Sequence, residues 1–283
     1  MTETSAGALR VGINGFGRIG RLLLRAIVDE SDLVPVHVND PAADAATAAH
    51  LVRRDSILGT WHGAIEADGE GLSVGRDATS RRPVSLSRCT DPARVPWPDV
   101  DLVFECSGRF RTAEALEAHR RAGVPRVLCS QPTKDPDHVP DLVYGLNHEA
   151  FDGAGPFPTA ASCTTNCIAP PMDVVHSAFG IRHGALNTIH AFTSSQKVLD
   201  DYTSDLRRAR AASESLIPTT TGSATAIGRI LPELAGKVDG IAIRVPMPGP
   251  SLSDLVLELA TATSTDAVNE ALREAAEGRL RGI

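Results

Sequence analysis

The sequence predicts an α/β protein: a doubly wound parallel sheet first, then an α+β domain with a mixed or antiparallel sheet. Three observations carry this. From Leu9 to Gly145, short apolar runs alternate with stretches of helical spacing, the pattern of parallel strands with helices on both faces of their sheet. A glycine turn, Gly15-Phe16-Gly17-Arg18-Ile19-Gly20, joins the first run to the first helix. Beyond Ala161 several strand-like runs follow one another without regular crossovers. The expected division is residues 1–161 and 162–283, two domains of ordinary size.

In order, Leu9 to Ile13 reads as a strand and Arg18 to Val28 as a helix, with Ile19, Leu22, Leu23, Ala26 and Ile27 on one side. Leu33 to Val38 is a second strand ending in Asn39-Asp40. Thr47 to Leu58 has a helical pattern, and Asp68 to Pro83 reads as loops and short hairpin strands. Asp101 to Cys106, Arg126 to Cys129 and Leu142 to Gly145 are expected strands, with a helix from Thr112 to Ala122 closed by Gly123. In the second half an apolar run, Ile168 to Phe179, follows a cysteine-bearing turn. Strands are expected at Ala185–Phe192, Gly240–Val245 and Leu255–Ala260, with helices at Ala224–Leu231 and Asp266–Glu277.

The totals exclude several classes. A formal net charge of −7 opposes nucleic acid as main partner. No apolar run is long enough to span a bilayer. Five cysteines, an odd count without framework spacing, read as reduced thiols of a cytoplasmic protein. Met1 to Ala8 is short and polar and reads as no secretory signal. Cys163 and Cys167 form a lone C-x3-C, so no metal site is expected.

Strand, glycine turn and helix are the context of a dinucleotide fingerprint, in which glycines let the backbone approach a pyrophosphate at a helix N-terminus. Asp40 lies twenty positions beyond Gly20, where an acid meets the adenosine ribose of such a Rossmann-type fold. Ser107 and Ser130 stand at strand ends on the same side, although a serine there also suits a simple turn. The other reading of Asp40 is a solvated strand-end turn.

The second centre is Ala161-Ser162-Cys163-Thr164-Thr165-Asn166-Cys167-Ile168. Ser162 can cap a helix, which would set Cys163 where free N–H groups favour negative charge. Thiolate is the reactive form of cysteine, and histidine is the natural partner to take its proton. His190, ending a strand in the domain that Cys163 begins, is the best candidate. His50, His62, His119, His138, His148, His176 and His183 have polar or loop contexts. Thr164, Thr193, Thr221 and Gly222 sit at helix starts or strand ends suited to anions. Arg244 lies in an apolar strand and calls for an anion or an internal acid. Arg207, Arg208 and Arg210 suit either an anion site or a solvated face. A nicotinamide-type fold, a thiolate and two anion sites fit oxidation of an aldehyde through a hemithioacetal and a thioester, with phosphate attacking the acyl group.

These residues closely resemble phosphorylating glyceraldehyde-3-phosphate dehydrogenase. The motifs are Val11 to Gly20, Ala161 to Ile168, His190-Ala191-Phe192-Thr193, Pro218 to Gly222, and Arg244-Val245-Pro246. The resemblance implies Cys163 as nucleophile, His190 as its base and NAD as cofactor, held by Gly15, Gly17, Arg18, Ile19, Gly20, Asp40, Ser107 and Ser130. It implies one phosphate subsite at Ser162, Thr164, Thr221, Gly222 and Arg208, and another at Thr193 and Arg244. The partners implied are a phosphorylated aldehyde and inorganic phosphate, in a homotetramer. Asp40 favours NAD, because its charge repels a 2′-phosphate. Asp201-Tyr202 occupy the loop that in this family touches the same ribose from a neighbouring subunit. Thr90 stands where the family often has a basic residue near the adenine. Ser215 to Ile227 and Ala48 to Leu51 also resemble relatives linked to arsenate resistance, which form an unstable acyl-arsenate. The family extends several dozen residues beyond a Gly-Ile like Gly282-Ile283, so the chain as given is expected to be poorly active and to expose apolar surface. An erythrose-4-phosphate dehydrogenase, which hydrolyses its thioester, and a non-catalytic NAD-binding remnant are the competing expectations.

Overall fold

The computed structural model of this chain describes residues 7–151 and 157–283. The polar start at residues 1–6, read above as lacking a leader, lies outside them. The chain divides into two compact units, residues 1–140 with 152–160, and residues 141–151 with 161–283.

The first unit opens with β1 (Arg10–Asn14) and α1 (Arg18–Glu30), then β2 (Val34–Asn39) and α2 (Ala45–Arg53). The hairpin strands β3 (Arg54–Asp55) and β4 (Gly59–Thr60) follow, then β5 (Ala64–Asp68), β6 (Gly71–Gly75) and β7 (Arg82–Ser87). It closes with β8 (Leu102–Glu105), α3 (Ala113–Arg121) and β9 (Val127–Cys129). The sheet order is β5-β6-β7-β2-β1-β8-β9. From β7 to β9 neighbours are parallel, and the β5-β6-β7 edge is antiparallel. Two apolar clusters lie on the two faces of the sheet. Val11 and Ile13 of β1 pack with Leu24 and Ile27 of α1 and with Ala48 and Val52 of α2. Val103 of β8 packs with Leu116 of α3 and Val127 of β9.

The helical reading of Thr47 to Leu58 is corrected. The helix ends at Arg53, because Asp55 Oδ1 accepts the N–H groups of Ile57 (2.9 Å) and Leu58 (2.8 Å) and closes a turn. Gly59, at φ 76°, completes it, a conformation that costs glycine little.

The pairing of β1 with β2 is irregular. The register of β1 on β2 runs Val11↔Pro35 and then Gly12↔His37, so Val36 is an extra residue in β2. A bulge of one residue reverses which face the following side chains take. His37 therefore lies on the Gly12 side, its ring 5.1 Å from that of Trp97, edge to face. Gly12 is required there, since a Cβ would meet the Trp97 ring at 2.6 Å.

The second unit contains α4 (Cys163–Phe179), β10 (Ile181–Ala191), β11 (Ile217–Thr220), α5 (Ser223–Ile230), β12 (Val238–Val245), β13 (Leu252–Leu259) and α6 (Thr265–Glu277). Its sheet order is β11-β12-β10-β13, with β10 parallel to β12 and the other pairs antiparallel, the mixed sheet expected from the sequence. Ile168, Ala169 and Met172 of α4 and Ile227 of α5 pack on Leu186 of β10 and Val238 of β12. Pro170 and Pro171 lie inside α4, where each removes an i→i−4 bond, and the fully buried Ile168, Ala169 and Met172 hold the helix across them.

The strand expected at Leu142–Gly145 is absent. Asn147 Oδ1 accepts from the N–H of Val143 (2.8 Å) and its Nδ2 donates to the Asp141 carbonyl (2.8 Å), folding this segment into a turn. Gly145 sits in it at φ 87°.

Candidate active site

Ser162 is the N-cap of α4, its Oγ accepting the N–H of Thr165 at 3.0 Å. Ala161, at φ 55°, turns the chain into that cap. Cys163 is thereby the first helical residue, beside N–H groups that have no intrahelical partner. His190 ends β10 opposite Arg244 of β12 in the parallel register. Its Nε2 stands 3.4 Å from Cys163 Sγ. Its Nδ1 lies 2.7 Å from the Ala191 carbonyl and 2.9 Å from Arg244 Nη1. With the Nδ1 proton donated to Ala191 O, Nε2 is free to take the thiol proton and, as the N–H of the imidazolium, to donate it in a hydrogen bond to the thiolate sulfur. The hydrogen bond to His190 is the first cause holding the Cys163 thiol below its ordinary value. The charge of His190 and hydrogen bonds from Thr164 act in the same direction, and burial opposes them. Elsewhere burial pushes the Cys106 and Cys129 thiols up to about 12, leaving them unreactive at neutral pH.

Arg244 is half-buried, and among the described residues it has no carboxylate partner. Nη1 donates to the Ala191 carbonyl at 2.9 Å, while Nε is buried with no hydrogen bond. Burial lowers its guanidinium from the ordinary value, and the charge of Cys163 pulls the other way. A cation in this state favours an incoming anion. Ser162 Oγ lies 3.1 Å from Ser223 Oγ, so the starts of α4 and α5 adjoin. That brings Ser162 and Thr164 together with Thr221 and Gly222, where Gly222 caps α5 without a side-chain hydrogen bond. Of the three clustered arginines, Arg207 pairs with Asp205 and Arg210 with Asp200. Arg208 has no ion pair among the described residues. Thr193 Oγ1 bonds Ser195 Oγ (2.9 Å) and Gln196 Oε1 (3.1 Å) on an exposed turn.

In the first unit, Gly17 caps α1 with no side-chain hydrogen bond, and nothing lies within 4 Å of where its Cβ would be. Gly15, at φ 91°, passes so close to Ser107 that a Cβ would meet its backbone at 2.4 Å. A Cβ on Gly20 would meet the Gly15 carbonyl at 2.2 Å. The Arg18 guanidinium pairs with Asp55 at 2.9 Å, and Ile19 is exposed. The first N–H groups of α1 are thus unobstructed for an anion. Asp40 Oδ2 accepts the N–H of Phe16 at 2.7 Å, and Oδ1 that of Ala42 at 2.9 Å. Its carboxylate adjoins the glycine turn and retains acceptor capacity. Ser107 Oγ accepts from Arg109 N (3.2 Å), and Ser130 N donates to Glu105 O (3.0 Å). These residues fit a dinucleotide: open helix N–H groups, no Cβ in the way, and an acid at the next strand end. No cluster of three or more His, Cys, Asp or Glu able to hold a metal occurs among the described residues.

Two family models match the chain. The NAD binding domain of glyceraldehyde 3-phosphate dehydrogenase covers residues 9–113, and the C-terminal domain of the same enzyme covers residues 162–283. The chain belongs to the glyceraldehyde-3-phosphate dehydrogenase family. It is 47% identical over 279 residues to glyceraldehyde-3-phosphate dehydrogenase 3 of Nostoc sp., covering 97% of this chain and 81% of that one. It is 46% identical over 275 residues to the Pseudomonas aeruginosa glyceraldehyde-3-phosphate dehydrogenase, covering 95% and 80%. Against the Geobacillus stearothermophilus enzyme the identity is 44% over 279 residues, covering 98% and 81%. This member of the glyceraldehyde-3-phosphate dehydrogenase family is an NAD-dependent oxidoreductase of the phosphorylating type, and its N-terminal domain binds the NAD.

The sequence reading of this family member missed a second polar group. His119, taken above as a polar or loop histidine, is fully buried on α3, with Nε2 3.0 Å from Glu105 Oε2. Arg and Glu neighbours in sequence disguised it, and only the inward face of the helix reveals it. His37, Asn14, Asn39 and Glu105 are equally buried. For Asn14, Asn39 and Glu105 the one legible signal is a polar residue ending an apolar strand, whereas His37 lies inside β2.

Proposed function

We propose that this chain oxidises D-glyceraldehyde 3-phosphate to 1,3-bisphosphoglycerate, with Cys163 as nucleophile and His190 as acid and base. The observation that carries the reading is Cys163 Sγ at 3.4 Å from His190 Nε2 at the start of a helix. The thiolate adds to the aldehyde carbon, and the carbonyl π electrons move to oxygen. His190, holding the proton taken from the thiol, gives it to that oxygen to form the hemithioacetal hydroxyl and takes it back as the C–H bond breaks. NAD, when bound, supplies the acceptor for the departing hydride. The thioester on Cys163 remains, and a phosphate oxygen attacks its acyl carbon, the C–S bond breaking to return the thiolate. Sulfur suits both halves: it is nucleophilic enough to add and a good enough leaving group to be displaced.

In this reading Arg244 and Thr193 hold the substrate phosphate. Ser162, Thr164, Thr221, Gly222 and Arg208 hold the attacking phosphate, which arsenate, of similar shape, can replace. Gly15, Gly17, Arg18, Ile19, Gly20, Asp40, Ser107 and Ser130 hold NAD, and the charge of Asp40 opposes a 2′-phosphate. Residues 1–161 serve the cofactor and 162–283 the chemistry.

A cytoplasmic location is supported by five free cysteines, and no helix is long and apolar enough to cross a membrane among the described residues. A homotetramer is supported by the exposed apolar residues of the second unit, among them Ile241, Leu252 and Val256.

The test follows NADH absorbance with glyceraldehyde 3-phosphate, NAD and varied phosphate. NADH formation is expected to require phosphate or arsenate, and Cys163→Ser is expected to lower it by about 10³-fold or more. Phosphate-independent turnover, or turnover surviving Cys163→Ser, contradicts the proposal.

A further inference from the structure

The buried polar side chains at the strand ends of the first unit form a continuous chain across four strands. Ser87 Oγ, at the end of β7, donates to Asn39 Oδ1 at 2.7 Å. Asn39 Nδ2, ending β2, donates to Asn14 Oδ1 at 2.7 Å. Asn14 Nδ2, ending β1, donates to Glu105 Oε2, ending β8, at 2.5 Å. His119 of α3 closes the row at 3.0 Å from the same oxygen. On the other flank His37 Nε2 meets Ser87 Oγ at 2.8 Å. Asn14, Asn39 and Glu105 are 3%, 2% and 0% exposed.

The hydrogen-bonding capacity of Asn39 is used in full. Nδ2 donates to Asn14 Oδ1 and to the Cys89 carbonyl at 3.0 Å, while Oδ1 accepts from Ser87 Oγ and from Cys89 N at 2.9 Å. Asn39 reaches this row because of the bulge at Val36, which reverses the face taken by residues 37 and 39.

Each member also governs the residue that follows it. The Asn39 carbonyl accepts the N–H of Gly15 at 2.8 Å, and Asp40, next in sequence, donates its N–H to Ser87 O at 3.0 Å. Glu105 Oε1 accepts the N–H of Ser107 at 2.7 Å, and its backbone carbonyl that of Ser130 at 3.0 Å. Ser107 is the floor against which Gly15 turns. Of the residues assigned to the cofactor, Gly15, Asp40, Ser107 and Ser130 therefore lie one or two positions beyond this row or are bonded to it. Buried polar rows are costly to desolvate. Apolar side chains would hold the strands together as well, but without directional bonds at their ends.

We propose that Asn39, Asn14 and Glu105 are positioning residues for the NAD site, fixing the Gly15 turn, the Asp40 carboxylate and the Ser107 backbone in one geometry. The inference rests on the assignment of Asp40 and the glycine turn to NAD. Directional bonds at the strand ends set where Asp40 stands, and so set discrimination against a 2′-phosphate as well as affinity.

The experiment measures dissociation constants for NAD and NADP by titration calorimetry on the full chain, for the parent, Asn39→Ala and Glu105→Gln. Thermal melting and the Cys163 alkylation rate without nucleotide are measured alongside. The variants are expected to bind NAD about tenfold more weakly and to show a smaller NAD-to-NADP preference, with Cys163 alkylation unchanged. Folded variants with the parent's NAD affinity and preference overturn the proposal, even where the melting temperature falls. If Asn39→Ala does not fold, Ser87→Ala, which removes one donor from the row, is expected to narrow the preference in the same direction. A Ser87→Ala protein indistinguishable from the parent would then overturn it. A parent that binds neither nucleotide refutes the underlying cofactor assignment instead.

Discussion

At the scale of single residues, the thiol at 163 is set apart by what surrounds it. Cys106 and Cys129 are pushed up to about 12 by burial, whereas Cys163 is lowered, first by its bond to His190. The sign for reactivity follows. Alkylation by a neutral reagent tracks the thiolate, so a lowered pKa keeps the rate high down to a pH below the ordinary thiol range. Replacing His190 with Asn removes the first cause of the lowering, and the midpoint of the rate–pH profile is expected to move up towards that ordinary range. An unmoved profile would show that the helix start alone ionises the sulfur. Cys163, His190 and Arg244 were legible in the sequence because each is chemically unusual for its place: a cysteine among hydroxyls, a histidine and an arginine in apolar strands. The His190–Arg244 contact was not legible, since it depends on the parallel pairing of β10 with β12.

At the scale of elements, strands and helices followed their periodicity wherever the pattern was regular. The α1 helix, the β8 strand and the α6 helix lie where apolar spacing placed them. The failures share a cause. The Thr47–Leu58 pattern continues through residues whose N–H groups a neighbouring aspartate captures, and the apolar run at Leu142 is folded by Asn147. Local side-chain bonds to the backbone compete with regular structure and leave hydrophobic spacing unchanged. The bulge in β2 is similarly silent in sequence. It nevertheless decides that His37 and Asn39 join the polar row at the end of the sheet. His37 carries a physical mark of this: burial lowers it to about 4, so its ring stays neutral between two serine hydroxyls through the physiological range.

For the whole molecule, the sheet of the second unit is covered by helices on one face only. Ile241, Leu252 and Val256 are exposed on it, and Val198, Leu199, Tyr202, Leu206 and Leu216 are exposed on the connection from β10 to β11. Tyr202 is 99% exposed. We propose that these exposed apolar residues form an association surface between copies of the chain. Homotetramer formation is expected to bury it, and light scattering on the purified chain is expected to give four times the mass of one chain. A monomer at micromolar concentration would leave that surface without the proposed partner.

The central claim is that Cys163 carries the acyl group between oxidation and phosphorolysis. It is tested most directly by mixing the protein with glyceraldehyde 3-phosphate and NAD without phosphate, quenching in acid, and mapping the adduct by mass spectrometry. The account predicts a single acyl adduct on Cys163 that disappears when phosphate is added before the quench. An adduct on another cysteine, or one on Cys163 that phosphate does not discharge, would contradict it.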